Sequence, residues 1–231
     1  MFFDPLYLLF MAPAFIISVI AQLWVKGSFS KYSKITSQSG YSGAKAAYNI
    51  LKGNGIDGVS IEETTGFLGD HYDPRTKSLR LSPDVYRSNS LAAIGVAAHE
   101  AGHALQHAQG YFPLHFRSQL VPVASIGSNL AWPLLFIGFF LHSMMMVKWG
   151  ILLFSGVVLF QLVTLPVEFN ASRRALAALR TSGLVSESEI SGSRKVLTAA
   201  AMTYVAAAAA AILQLLYFLL RSGLLGGSRD D

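Results

Sequence analysis

His99 and His103 stand four residues apart in the run His99-Glu100-Ala101-Gly102-His103, and on a helix that spacing stacks two side chains on one face. Two imidazoles so placed can offer their nitrogens to a single metal ion. Glu100 lies one position round the same helix, within reach of a proton on a metal-activated water. Zinc suits the pair, because neutral imidazole binds it readily and hydrolytic zinc sites combine three protein ligands with a water. Bound zinc brings the pKa of that water to about 7, which makes hydroxide available at neutral pH. The chain contains no cysteine, so any further ligand has to be His, Glu or Asp.

A helix must hold these side chains. Ser90 is a cap for a helix beginning near Leu91, and Leu91-Ala92-Ala93-Ile94-Gly95-Val96-Ala97-Ala98 carries it apolar into the histidines. The run continues through Ala104, Leu105 and Gln106 until Gly110 stops it. Such a helix is apolar enough to be buried, which keeps the imidazoles still.

The rest of the chain is built for a bilayer. Of 231 residues, 52% are hydrophobic and only 13% charged, against about a quarter charged in ordinary soluble domains. Residues 5–24, 121–141, 149–167 and 196–220 form four apolar stretches without a charge, each long enough to cross a hydrocarbon core of about 30 Å. No basic segment precedes the first stretch and no small-residue cleavage site follows it, so it reads as an uncleaved anchor. The net charge of +5 is modest, and no basic helix or aromatic-basic interleaving supports nucleic-acid binding. Ten of the Lys and Arg residues lie in 26–117 and five between Arg173 and Lys195, against one, Lys148, between the second and third stretches. The positive-inside rule therefore puts residues 26–117 and 168–195 in the cytoplasm and both termini outside.

Residues 26–117 form the main soluble piece. Its start, Lys26 to Gly43, is rich in Ser, Lys, Gly and Tyr and reads as a linker. Ser42 caps a short amphipathic helix from Gly43 to Lys52, closed by Gly53-Asn54-Gly55. Ile56 to Thr64 and Ser78 to Ser82 alternate as strands around a turn at Asp73-Pro74-Arg75-Thr76. The expected order is helix, two-stranded hairpin, metal helix. The Leu79 to Ser82 strand is either an ordinary hairpin strand or a free edge on which an extended substrate pairs its backbone.

That topology asks for a third ligand from the other cytoplasmic connection. Glu168 opens it, just beyond Pro166, in the run Glu168-Phe169-Asn170-Ala171-Ser172-Arg173-Arg174. A carboxylate buried unpaired at a membrane boundary costs several kcal/mol, and a bound cation removes that cost. His107, eight residues past His99, sits about 12 Å further along a straight helix and cannot reach the same ion. His71 falls in a polar loop as a surface residue or substrate contact, and His115 and His142 flank an apolar stretch.

The run Glu168-Phe169-Asn170-Ala171-Ser172 resembles the E-x-x-A-D signature of HtpX-like and CAAX prenyl protease membrane gluzincins, in the same order after the HExxH helix. A closer resemblance is to the YugP-type family of neutral zinc metallopeptidases of bacterial membranes. It runs through the initial apolar stretch, His71-Tyr72-Asp73-Pro74, Leu79-Arg80-Leu81-Ser82, His99 to His103 and Glu168 to Arg174, nearly the whole chain. The resemblance implies one zinc ion on His99, His103 and Glu168, with Glu100 as general base. It implies a mainly α integral membrane protein with a small α+β minigluzincin-like zinc domain, in the bacterial cytoplasmic membrane with the site on the cytoplasmic side. Where the wider group has an aspartate that orients a ligand histidine, this chain has Ser172, a neutral acceptor that lowers ligand basicity; Asn170 is a substitute acceptor.

The expected activity is zinc-dependent endopeptidase hydrolysis of peptides or membrane proteins at the cytoplasmic surface of the bilayer. His71, Arg173 and Arg174 are candidate donors to the oxyanion. The alternative is a non-catalytic metal-binding scaffold that holds partner helices through its alanine-rich last stretch, since small residues favour close helix packing in lipid. A structural site, however, gains nothing from a glutamate beside its first histidine.

Overall fold

The computed structural model describes residues 4–65 and 69–225. Helices dominate: α1 (Pro5–Tyr32), α2 (Gly43–Gly53), the short α3 (Pro83–Tyr86), α4 (Leu91–Ala108), α5 (Phe112–Phe140), α6 (Met144–Thr181) and α7 (Glu187–Arg221). Three short strands, β1 (Ser60–Glu63), β2 (His71–Asp73) and β3 (Ser78–Leu81), make one sheet. α1, α5, α6 and α7 are each long and apolar enough to cross a membrane. The chain divides into two compact units.

The first unit contains His115–Leu165 and the described parts of Met1–Ile20 and Tyr204–Asp231. Ala131, Leu135, Val147, Ile151, Phe154, Val158, Tyr217 and Phe218 form its core. Its outward faces carry Leu, Ile and Phe side chains such as Phe15, Ile126 and Leu152, which is the pattern of helices bathed in hydrocarbon rather than water. Asp4 ties this unit together at one end: its carboxylate caps Leu6 N–H and accepts from the Tyr217 hydroxyl at 3.2 Å.

The second unit contains Ala21–Leu114 and Pro166–Thr203. α4 is its centre, buried on nearly every side from Leu91 to Gln106. α2 lays Ala46, Ala47, Ile50 and Leu51 into the same core, and the sheet adds Leu79 and Leu81. Both helices are capped as the sequence indicates: Ser42 Oγ accepts Lys45 N–H at 3.3 Å, and Ser90 Oγ accepts Ala93 N–H at 3.2 Å. Gly110, at φ +63°, takes the left-handed turn beyond α4 that other residues resist.

The sheet differs from the expected two-stranded hairpin. β1 and β3 lie side by side but parallel, with Ile61 opposite Leu79. The antiparallel partner of β3 is β2, with Tyr72 opposite Leu79. The turn at Asp73 is where the sequence puts it, closed by Arg75 N–H and Thr76 Oγ1 donating to the Asp73 carboxylate. What sequence pattern misses is the strand before the turn, three residues long with a single apolar member. β3 is therefore the central strand, and the idea that Leu79 to Ser82 offers a free edge to substrate does not hold.

Two segments are more ordered than their composition suggests. α1 runs eight residues past Trp24 into the stretch that reads as a linker, because Tyr32 is buried in the core and Phe29 packs against it. The rest of that stretch is pinned by backbone pairing, with Leu91 N–H on Ile35 O and Ser37 N–H on Asn89 O, and by Gln38 N–H donating to Glu189 Oε1 at 2.7 Å. Glu189 also accepts Ser186 N–H at 2.8 Å, half of a capping box that starts α7. Most of the connection at 168–195 is likewise helical: α6 passes through Pro166 and continues to Thr181.

Candidate metal centre

α4 and α6 bring three ligand-capable side chains to one point. His99 and His103 stack on one face of α4, with ring centroids 4.8 Å apart and planes at 83°. Glu168 Oε2 lies 3.1 Å from His99 Nε2 and 3.6 Å from His103 Nε2. Among the described residues, His99, His103 and Glu168 form a group able to hold a metal ion, their donor atoms within 4.8 Å of one another. Two atoms bound tetrahedrally to zinc stand about 3.4 Å apart, given Zn–N and Zn–O bonds near 2.1 Å, and the two separations from Glu168 Oε2 bracket that value. Glu168 is only 2% exposed, so its charge has to be met by buried partners such as these imidazoles, and a cation held here would meet it too.

The approach of α6 to α4 depends on a residue without a side chain. A Cβ placed on Gly102 would stand 2.5 Å from Ala171 O, so the helix backbones meet here at a distance only glycine permits. Glu168, Ala171, Ser172 and Ala175 recur at helical spacing and make the matching face of α6.

Each imidazole is held from behind. Ser172 Oγ lies 3.1 Å from His99 Nδ1, and Gln106 Oε1 lies 3.0 Å from His103 Nδ1. These contacts leave both Nε2 atoms turned toward Glu168. Burial by itself lowers the pKa of His103, yet the Glu168 and Glu100 carboxylates and the Gln106 hydrogen bond hold it above its ordinary value. A field that favours an imidazolium here also favours a metal cation.

Glu100 is 8% exposed and accepts the Tyr72 N–H at 3.0 Å through Oε2. That amide faces away from β3, as alternation along an antiparallel strand requires when its neighbours do the pairing. The Tyr72 hydroxyl reaches His107 Nδ1 at 2.8 Å, so His107 serves the strand and α4 runs unbroken past it.

The other candidates fall elsewhere. His71 is exposed and pairs across the sheet with Arg80, on the face opposite the buried Leu79 and Leu81, and its Nδ1–H donates to Gly69 O at 2.7 Å. Arg173 is exposed. Arg174 Nε donates to Asn170 Oδ1 at 2.6 Å and its Nη1 to Gln109. Asn170 does not take the place of Ser172 at His99; it accepts from Gln106 and Arg174. His142 turns the chain between α5 and α6 at φ 53°.

Sequence reasoning missed two contributors. Gln106 is fully buried one turn past His103; a lone amide in an otherwise apolar helical run is the signal that could have found it. The Tyr72 amide leaves no such signal, since any residue but proline supplies an N–H.

Residues 7–223 match the family model described as "Putative neutral zinc metallopeptidase", and the chain belongs to that family. It is 48% identical over 205 residues to the "Putative membrane protease YugP" of Bacillus subtilis (strain 168), an alignment covering 88% of this chain and 91% of that protein. No solved structure matches it.

Proposed function

We propose that this chain is a membrane-embedded, zinc-dependent metalloendopeptidase of the gluzincin type, with one zinc ion on His99, His103 and Glu168. The convergence of two Nε2 atoms and one carboxylate oxygen from α4 and α6 carries this reading, and the membership of a zinc peptidase family supports it. When bound, zinc supplies Lewis acidity that acidifies a water and polarises a carbonyl. Glu100 accepts the proton of the attacking water at its carboxylate and returns it to the nitrogen of the leaving amine. The Tyr72 N–H holds that carboxylate in place. A scaffold has no use for a buried carboxylate that stands beside the ligands without joining them, which favours catalysis.

The substrate is an extended peptide or a segment of a membrane protein. β2 has its outer edge free of any further strand among the described residues; with the Tyr72 N–H held by Glu100, the Tyr72 carbonyl is the group on that edge to which a strand-like substrate donates. The basic residues concentrated in 26–117 and between Arg173 and Lys195 support a site on the cytoplasmic side of the bacterial cytoplasmic membrane.

The test is a mixed peptide library incubated with detergent-purified, zinc-loaded protein, read by mass spectrometry. New peptide termini appear, a chelator abolishes them and zinc restores them. A zinc-loaded protein that leaves the library intact contradicts the proposal.

A further inference from the structure

The Gln106 side chain admits only one orientation, and that fact reaches the metal centre. Its Nε2 lies 2.9 Å from Val167 O and 3.0 Å from Asn170 Oδ1. A backbone carbonyl only accepts, so the amide nitrogen must point at it. Asn170 Oδ1 is fixed in turn, because Arg174 Nε stands 2.6 Å from it and a guanidinium only donates. Arg174 is anchored by Gln109 and by the face of the Tyr111 ring, 5.6 Å from Cζ. With its nitrogen committed twice, Gln106 presents Oε1 to His103 at 3.0 Å. An acceptor there requires His103 Nδ1 to carry the hydrogen, so in the neutral ring Nε2 is the bare nitrogen.

We infer that Gln106, locked by Asn170 and Arg174, is a positioning residue that sets the metal-binding tautomer of His103, so that a guanidinium outside the centre tunes its zinc affinity. The inference rests on the zinc reading proposed above. It gives Arg174 a task other than oxyanion donor or topology residue. It also accounts for a fully buried glutamine in a helix whose other buried residues, apart from Glu100 and His103 of the site, are all apolar or glycine.

The experiment measures zinc affinity by chelator competition, and the His103 tautomer by ¹⁵N NMR of the metal-free protein at alkaline pH, where the ring is neutral, for wild type and four variants. Gln106→Leu removes the acceptor and weakens zinc about 10- to 100-fold, the range seen when groups that orient metal ligands are lost. In the same variant the His103 nitrogens report a mixture of tautomers. Asn170→Leu and Arg174→Gln, further from the ion, weaken zinc about threefold or more. Asn170→Asp keeps an acceptor for both Arg174 and Gln106 and retains wild-type affinity, which a merely space-filling role for Asn170 does not distinguish from Asn170→Leu. Wild-type affinity and tautomer in Gln106→Leu overturn the inference and leave the zinc reading standing. Should Gln106→Leu fail to fold, an Arg174→Gln protein with unchanged affinity and tautomer overturns the proposed tuning. A wild-type protein that binds no zinc overturns both.

Discussion

Glu100→Gln retains its zinc and loses peptide hydrolysis by about 10²- to 10⁴-fold, the usual worth of a positioned general base. The substitution keeps the shape of the side chain and an oxygen for the Tyr72 N–H, which sits 3.0 Å from Glu100 Oε2. It leaves untouched the three side chains able to hold the ion, His99, His103 and Glu168. What it removes is the capacity to take up a proton. Zinc content by mass spectrometry and initial rates on a peptide found in the library screen are measured on one preparation. Zinc retained with hydrolysis lost is the expected pair. Hydrolysis within a few-fold of wild type assigns the base elsewhere, and loss of zinc together with activity makes Glu100 a structural residue.

Gly102→Ala disrupts the centre without altering any ligand. The added Cβ meets Ala171 O at 2.5 Å and Ala171 C at 3.2 Å, and both are helix backbone, which cannot rotate aside as a side-chain tip can. α4 and α6 must separate, and Glu168, three residues before Ala171, withdraws from the imidazoles. Overpacking of this kind costs about 1–3 kcal/mol, only partly offset by the better helix propensity of Ala, about 1 kcal/mol. A strain of that size transferred to the metal site lowers zinc affinity by about 10- to 100-fold. Gly95→Ala is the control: its Cβ meets Ser193 Cβ at 3.3 Å, with Ser193 Cα and O at 3.5 and 3.6 Å, so a shift of about a few tenths of an ångström relieves the contact, against the 2.5 Å overlap at Gly102. Chelator competition on both variants, with circular dichroism to verify helix content, should show a large loss for Gly102→Ala and little for Gly95→Ala. Equal affinities would mean that the close approach of α6 is not what positions Glu168.

The legible parts of this molecule are those governed by short-range rules. The spacing of His99 and His103, the caps at Ser42 and Ser90 and the four apolar helices follow from periodicity and local hydrogen bonding, and each is visible in the sequence. Glu168 is legible for a different reason: a carboxylate beside an apolar span needs a partner, and the metal helix needs a ligand. The sheet is not legible, because the parallel pairing of β1 with β3 is a tertiary choice that alternation cannot encode, and β2 is too short to carry a pattern. The ordering of the segment after Trp24 depends on distant partners, Asn89 and Glu189, which no local reading supplies. Gln106 shows the same limit at the site itself: its polarity is visible, but its task depends on Val167 and Asn170, some sixty residues away.

The most direct measurement is the zinc content of wild type and Glu168→Ala, purified in detergent, dialysed against a weak chelator and weighed against protein by elemental mass spectrometry. If His99, His103 and Glu168 share one ion, wild type holds close to one zinc per chain and Glu168→Ala holds almost none. A wild type without zinc, or a Glu168→Ala protein that keeps its full complement, would contradict the three-ligand centre.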